Sequence, residues 1–157
     1  MAPGTLAIAT SPDRAHRRIL LLTTTDTRSA TARVLLVSNR TQMATDFDAI
    51  IPAGRATAYD LLVQGELYAT IGIDRLIGVV GRVPAQTTAA ISRALRTDGA
   101  SLHGMAYGPP LGGPDDPRRA FKADELGSLL RLTSPRRAGP EDTTRPAVSP
   151  SPRTLPA

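Results

Sequence analysis

The side chains best able to do chemistry fall in a few short stretches. His16-Arg17-Arg18 sets an imidazole beside two guanidinium groups. An imidazole titrates near ~6.5 and can move a proton at neutral pH, although a lone histidine in an arginine-rich loop is more often simply exposed. Asp46 and Asp48 stand two residues apart. On an extended segment that spacing puts both carboxylates on one side, where a pair can hold a cation or share a proton. With Phe47 between them and a turn nearby, solvated loop charges are the expected reading. Glu66 precedes Arg75 and Arg82 and is expected to bridge to Arg18 or to hold another arginine in place. Gly108-Pro109-Pro110-Leu111-Gly112-Gly113 is glycine-rich but lacks the Gly-Lys-Ser/Thr ending of a phosphate loop, and no strand precedes it. It reads as a linker. Arg118-Arg119 after Asp115-Asp116-Pro117 reads as a capped turn rather than a binding patch.

Composition removes several chemistries. The chain has no cysteine and two histidines. Disulfides, iron–sulfur clusters and thiolate zinc sites are excluded, and neither a histidine-built metal site nor a cofactor is expected. The formal charge is +5 and the pI about 10.6. Excess positive charge attracts phosphate backbones. Nearly all of it is arginine, with Lys122 the only lysine, a bias that a GC-rich genome also produces, so charge alone names no partner.

The elements that must position these residues are short. Thr5 to Ala9 alternates after Pro3-Gly4. Ile19 to Leu22 and Val34 to Val37 are continuous apolar runs, the pattern of strands buried on both faces. Asp48 to Ile51 ends at Pro52-Ala53-Gly54, and Leu61 to Val63 and Val79-Val80 are further candidates. The rhythm predicts a mainly β domain with α elements: a small antiparallel SH3-like barrel or roll closed by a C-terminal helix. Pro84 opens that helix, with Thr88, Ile91 and Leu95 on one stripe, and Asp98-Gly99 ends it. Residues 1–99 form the barrel domain. Residues 100–132 form a Gly/Pro loop and a short accessory helix from about Ala123, with Leu126, Leu129 and Leu130 on its buried face. Residues 133–157, rich in Pro, Ser, Thr and Arg, are a disordered tail. Aromatics are 3% of the chain, so the core is aliphatic. The N-terminus lacks the pattern of a signal peptide, and no apolar run is long enough to span a bilayer. A cytoplasmic protein without membrane partners is expected.

The order of features is similar to one known family. Pro3-Gly4 leads into a strand, Arg17-Arg18 into an apolar run, and Gly65-Glu66-Leu67-Tyr68-Ala69-Thr70 precedes Asp74-Arg75-Leu76 and Gly81-Arg82-Val83-Pro84 ahead of a helix. Over most of residues 3 to 97 this resembles the MazF/PemK toxins of toxin–antitoxin systems. The resemblance implies a homodimer, metal-independent cleavage of single-stranded RNA, and a cognate antitoxin protein that blocks the groove. It implies catalytic roles for Arg18, at the start of the second strand, and Thr41, after the third. His16, Arg17, Arg40 and Glu66 would bind substrate. Such cleavage drives a 2′-hydroxyl onto phosphorus, and guanidinium donors with a hydroxyl can stabilise the growing phosphoryl charge. Arg18 would do electrostatic work, since a group that titrates above ~12 is a poor proton carrier. Ile19 stands where the family has proline, and Leu67 and Ala69 where it carries polar groups. The alternatives are therefore a non-catalytic member that binds RNA or protein, or a toxin acting on a protein target such as DNA gyrase.

Overall fold

The computed structural model describes residues 1–96 and 105–135. Six strands run Thr5–Thr10 (β1), Arg17–Asp26 (β2), Thr31–Ser38 (β3), Asp48–Ile51 (β4), Leu61–Gly72 (β5) and Leu76–Arg82 (β6). They pair antiparallel in the order β4-β5-β3-β2-β1-β6, with β4 and β6 at the outer edges. Two helices follow, Ala85–Arg96 (α1) and Pro117–Thr133 (α2). The expected mainly antiparallel β fold with a helix after the last strand is what the chain adopts. The tail expected from residue 133 does not start there, since Thr133 ends α2 and Ser134 caps it; its remainder, 136–157, and the Asp98-Gly99 helix stop lie outside the described residues.

Both faces of the sheet are covered, which is why its central strands read as unbroken apolar runs. Leu20, Leu22, Val34 and Leu36 join one core cluster, closed by Leu129 and Leu132 of α2. Leu21, Leu35 and Val37 join the other, closed by Val83 and by Ile91 of α1. The core is aliphatic as composition requires, with Phe121 the one buried aromatic among the described residues. Register shifts in β1–β6, β2–β3 and β3–β5 interrupt the ladders. Such bulges bend strands and sharpen twist.

The Pro3-Gly4 start earns its place at the entry to α1. Gly4 has φ +86°, and a Cβ there would come within 2.9 Å of the Val83 carbonyl and 3.0 Å of the Thr88 hydroxyl. Its carbonyl accepts from Val83 N at 2.8 Å and its N–H donates to Leu22 O at 2.8 Å. Only glycine offers that backbone without strain.

The second helix differs from expectation. It begins at Pro117 rather than near Ala123 and runs 17 residues, longer than the 12 of α1. Asp116 is its N-cap, with Arg118 N donating to the carboxylate at 3.0 Å and Pro117 in the first turn. The buried face is Phe121, Ser128, Leu129 and Leu132. Leu126 and Leu130 are exposed. Of the three leucines expected on the buried face only Leu129 is there; Phe121 and Ser128 share the inward stripe, and Leu126 and Leu130 sit to its side.

The Gly/Pro stretch before α2 is irregular, as expected of a linker, but it is firmly tied down. Arg118 donates to the Ala44, Pro109 and Pro110 carbonyls, and Arg119 to those of Gly112 and Gly113. Gly108 N donates to Thr45 O at 3.0 Å, so close that a Cβ on Gly108 would collide with the Ala44 carbonyl.

Candidate functional site

The start of β2 and the end of β3 lie side by side, with Ile19 opposite Val37. Arginines stand at both strand ends there: Arg17-Arg18 open β2, and Asn39-Arg40 follow β3. A groove of about 600 Å³ opens at that end. Arg17, Arg18, Asn39 and Arg40 line it from the sheet, Tyr59 from the loop before β5, and Phe121, Asp124 and Glu125 from α2. Three exposed guanidiniums, a half-exposed tyrosine and two carboxylates thus share one surface.

Arg18 is the best connected of the three arginines. Its side chain is 43% exposed. One terminal nitrogen donates to Ser128 Oγ at 3.0 Å and the other to the Arg17 carbonyl at 3.2 Å. Its Nε lies 3.9 Å from Glu125 Oε1. The other oxygen of Glu125 accepts from Gln64 Nε2 at 2.9 Å. Gln64 is fully buried, and its own oxygen has no hydrogen-bond partner among the described residues. A chain therefore runs from the core of β5 through Glu125 to the guanidinium in the groove. A carboxylate so held keeps a fixed position against whatever Arg18 binds.

The groove thus brings together Arg17, Arg18 and Arg40, but not the remaining residues singled out from sequence. Thr41 follows Arg40 at the start of the 3-10 turn Thr41–Met43 and is outside the groove lining. His16 is half-buried and also outside it; its backbone closes the β1–β2 loop by pairing with Ser11. Glu66 is exposed in the middle of β5 and makes no ion pair among the described residues. The partner of Arg18 is Glu125 instead. β5 runs 12 residues, and its alternation turns Glu66, Tyr68 and Thr70 outward. That surface lies away from the strand ends where Arg18 sits.

The pair Asp46 and Asp48 separates as well. Asp48 is fully buried and is not a solvated loop charge. Lys122 Nζ lies 2.7 Å from both its oxygens, and Thr45 N, Thr45 Oγ1 and Gly65 N also donate to it. A buried carboxylate with so full a set of donors is a structural anchor. The sequence marked neither Glu125 nor Ser128. The available signal was their spacing: Phe121, Glu125, Ser128 and Leu132 repeat at helical intervals, so two polar side chains interrupt an inward stripe.

No family model matches this chain, and no curated protein does. The site therefore stands on its own geometry. Among the described residues no three His, Asp or Glu side chains gather as metal ligands, and no helix is long and apolar enough to cross a membrane.

Proposed function

We propose that the groove binds single-stranded RNA and that the protein is a MazF/PemK-like ribonuclease toxin. The observation that carries this reading is the convergence of Arg17, Arg18 and Arg40 with Tyr59 on one open surface. Guanidiniums track a phosphate backbone, and an aromatic face stacks on an unpaired base. In cleavage, the 2′-hydroxyl oxygen attacks the adjacent phosphorus and gives its proton to the Glu125 carboxylate. The bond from phosphorus to the 5′-oxygen breaks, and that oxygen takes a proton from solvent. The products are a 2′,3′-cyclic phosphate and a 5′-hydroxyl. Arg18 stabilises the charge that builds on the phosphoryl oxygens, aimed there by Ser128 and Glu125. Thr41 is outside the groove lining and is assigned no step. The same reading carries a cognate antitoxin and a homodimer. Ile77, Val79 and Val80, exposed on the edge strand β6, are the apolar surface that favours self-association.

One observation favours a second reading, a member that binds RNA without cutting it. Ser128, the Arg17 carbonyl and Glu125 already engage the Arg18 guanidinium, which leaves a phosphate fewer of its five N–H donors. The test incubates the full chain with a mixed single-stranded RNA pool in EDTA. Cutting is expected, with Arg18→Ala inactive and Glu125→Gln slower by roughly 10²-fold or more, the range for a lost general base. Salt-sensitive binding without cuts selects the second reading. Neither binding nor cutting removes RNA from the account.

A further inference from the structure

Arg17 lines a second cavity as well. This one, of about 400 Å³, lies between the β1–β2 loop and the 3-10 turn Ile73–Arg75. Thr10, Ser11, Arg14, Arg17, Asp74 and Arg75 contribute to its wall. Two buried polar atoms in this wall have no hydrogen-bond partner among the described residues: Thr10 Oγ1 and Arg75 Nη1. Thr10 is only 6% exposed, and the Arg75 side chain 15%. The other Arg75 nitrogens are weakly engaged, Nη2 at 3.5 Å from the Ser134 carbonyl and Nε at 3.7 Å from the largely exposed Asp74. Folded proteins seldom leave a buried guanidinium donor and a buried hydroxyl unsatisfied in the wall of one cavity, because each loses its water without replacement.

The charge and the scaffold point the same way. Arg14, Arg17 and Arg75 face one carboxylate, Asp74, so the wall carries a net two positive charges. The loop that presents Arg14 and Arg17 is held in shape. The Ser11 hydroxyl donates to Asp13, whose carboxylate also accepts from Ala15 N at 3.0 Å, and His16 N donates to Ser11 Oγ at 3.0 Å. Arg14 itself sits at φ 59°, a left-handed backbone that a non-glycine residue adopts only when its surroundings impose it.

We propose that this cavity is a binding site for a dianionic tetrahedral oxyanion of the phosphate class. Arg75 Nη1 and the Thr10 hydroxyl donate to it from the buried wall, and Arg14 and Arg17 close over it from the rim. The site does not depend on the groove being an RNA site. Free phosphate and the terminal phosphate of a nucleic-acid strand present the same chemistry.

Calorimetric titration of the full chain with inorganic phosphate, in chloride buffer at constant ionic strength, tests it. Saturable binding is expected. Arg75→Gln should weaken it by about tenfold or more, as for a lost charge-assisted hydrogen bond. Thr10→Val, which keeps the side-chain volume, should weaken it several-fold and decides the matter if Arg75→Gln does not fold. Arg40→Ala should leave phosphate affinity unchanged, because Arg40 lines only the groove. That separates failure here from failure of the RNA reading. A 5′-phosphorylated oligonucleotide that competes with inorganic phosphate, where its 5′-hydroxyl counterpart does not, identifies a strand end as the source. Without such competition the source is free phosphate. Absence of saturable phosphate binding, or wild-type affinity in both variants, overturns the proposal.

Discussion

Helix α2 makes two ion pairs with the sheet three residues apart, and the two are built differently. Lys122 meets Asp48 in the interior at 2.7 Å, and the carboxylate collects further donors from Thr45 and Gly65. Glu125 meets Arg18 at 3.9 Å beside a groove, with the arginine 43% exposed. The first pair is saturated and has no capacity left for a ligand. The second is long, partly solvated and able to exchange partners. Burial with complete hydrogen bonding marks the joint that holds α2 in place, and looseness beside a groove marks the place where chemistry can enter. The lone lysine suits the first task. Its compact ammonium sits as a point charge between the two oxygens of one carboxylate, and the exposed planar fork of Arg18 can engage a phosphate through two donors.

The sharpest way to break this comparison is Lys122→Ala. It strands the Asp48 charge in the core, a change that costs about 3–5 kcal/mol. Chemical denaturation should record the loss, and a variant as stable as the parent would mean that Asp48 is not a structural anchor. Gly108→Ala should follow at about 1–3 kcal/mol, the range for forcing atoms into a packed site. The new methyl meets the Ala44 backbone, which cannot move aside as a side chain would. Hydrogen exchange should locate the loosening at the linker and the start of α2. Glu125→Gln should cost less than about 1 kcal/mol, since its partner is part-exposed and the amide oxygen can still accept from Gln64. A loss comparable to that of Lys122→Ala would erase the distinction between the two pairs.

The smallest effect concerns pH. The Arg118 side chain, then the Gly112 and Arg118 backbone N–H groups, hold the Asp116 carboxyl well below the usual carboxylate range. A depressed folded value means that its contribution is present above the unfolded value near ~4 and is lost as pH falls through the folded one. The Arg118 amide signal in an NMR titration of the folded protein should therefore stay put from about pH 8 down through about pH 4 and move only well below the ordinary carboxylate range. Movement centred near about pH 4, where a free aspartate titrates, would show that Arg118 and Gly112 do not hold the Asp116 carboxylate.

Local pattern carried most of the architecture. Ile19 to Leu22 and Val34 to Val37 were legible as strands covered on both faces, because only such strands can be apolar at every position. Pro3-Gly4, Pro52-Ala53-Gly54 and Pro84 marked true boundaries, since proline and glycine restrict or free the backbone wherever they stand. Asp115-Asp116-Pro117 was legible as a capped turn, but not as the start of a 17-residue helix, because Arg118 and Arg119 turn their side chains to the linker carbonyls rather than to an apolar stripe. Arg17, Arg18 and Arg40 were grouped by the resemblance, and the pairing of Ile19 with Val37 is what brings them to one surface.

The site's remaining partners were decided elsewhere. Arg18 and Ser128 are 110 residues apart in the chain, and Asp48 and Lys122 are 74 apart. Thr10 and Arg75 line one cavity only because β1 and β6 lie together at one edge of the sheet. By itself the sequence determined the central strands, the start of α1, the aliphatic core and the basic strand ends, because each follows from periodicity or backbone freedom within a few residues. Only the tertiary structure decided that Glu125 rather than Glu66 faces Arg18, that Asp48 is buried rather than solvated, and that Thr41 stands outside the groove. Those outcomes depend on strand register and on where α2 docks, and the energies that fix both are spread over the whole core rather than written in any one segment.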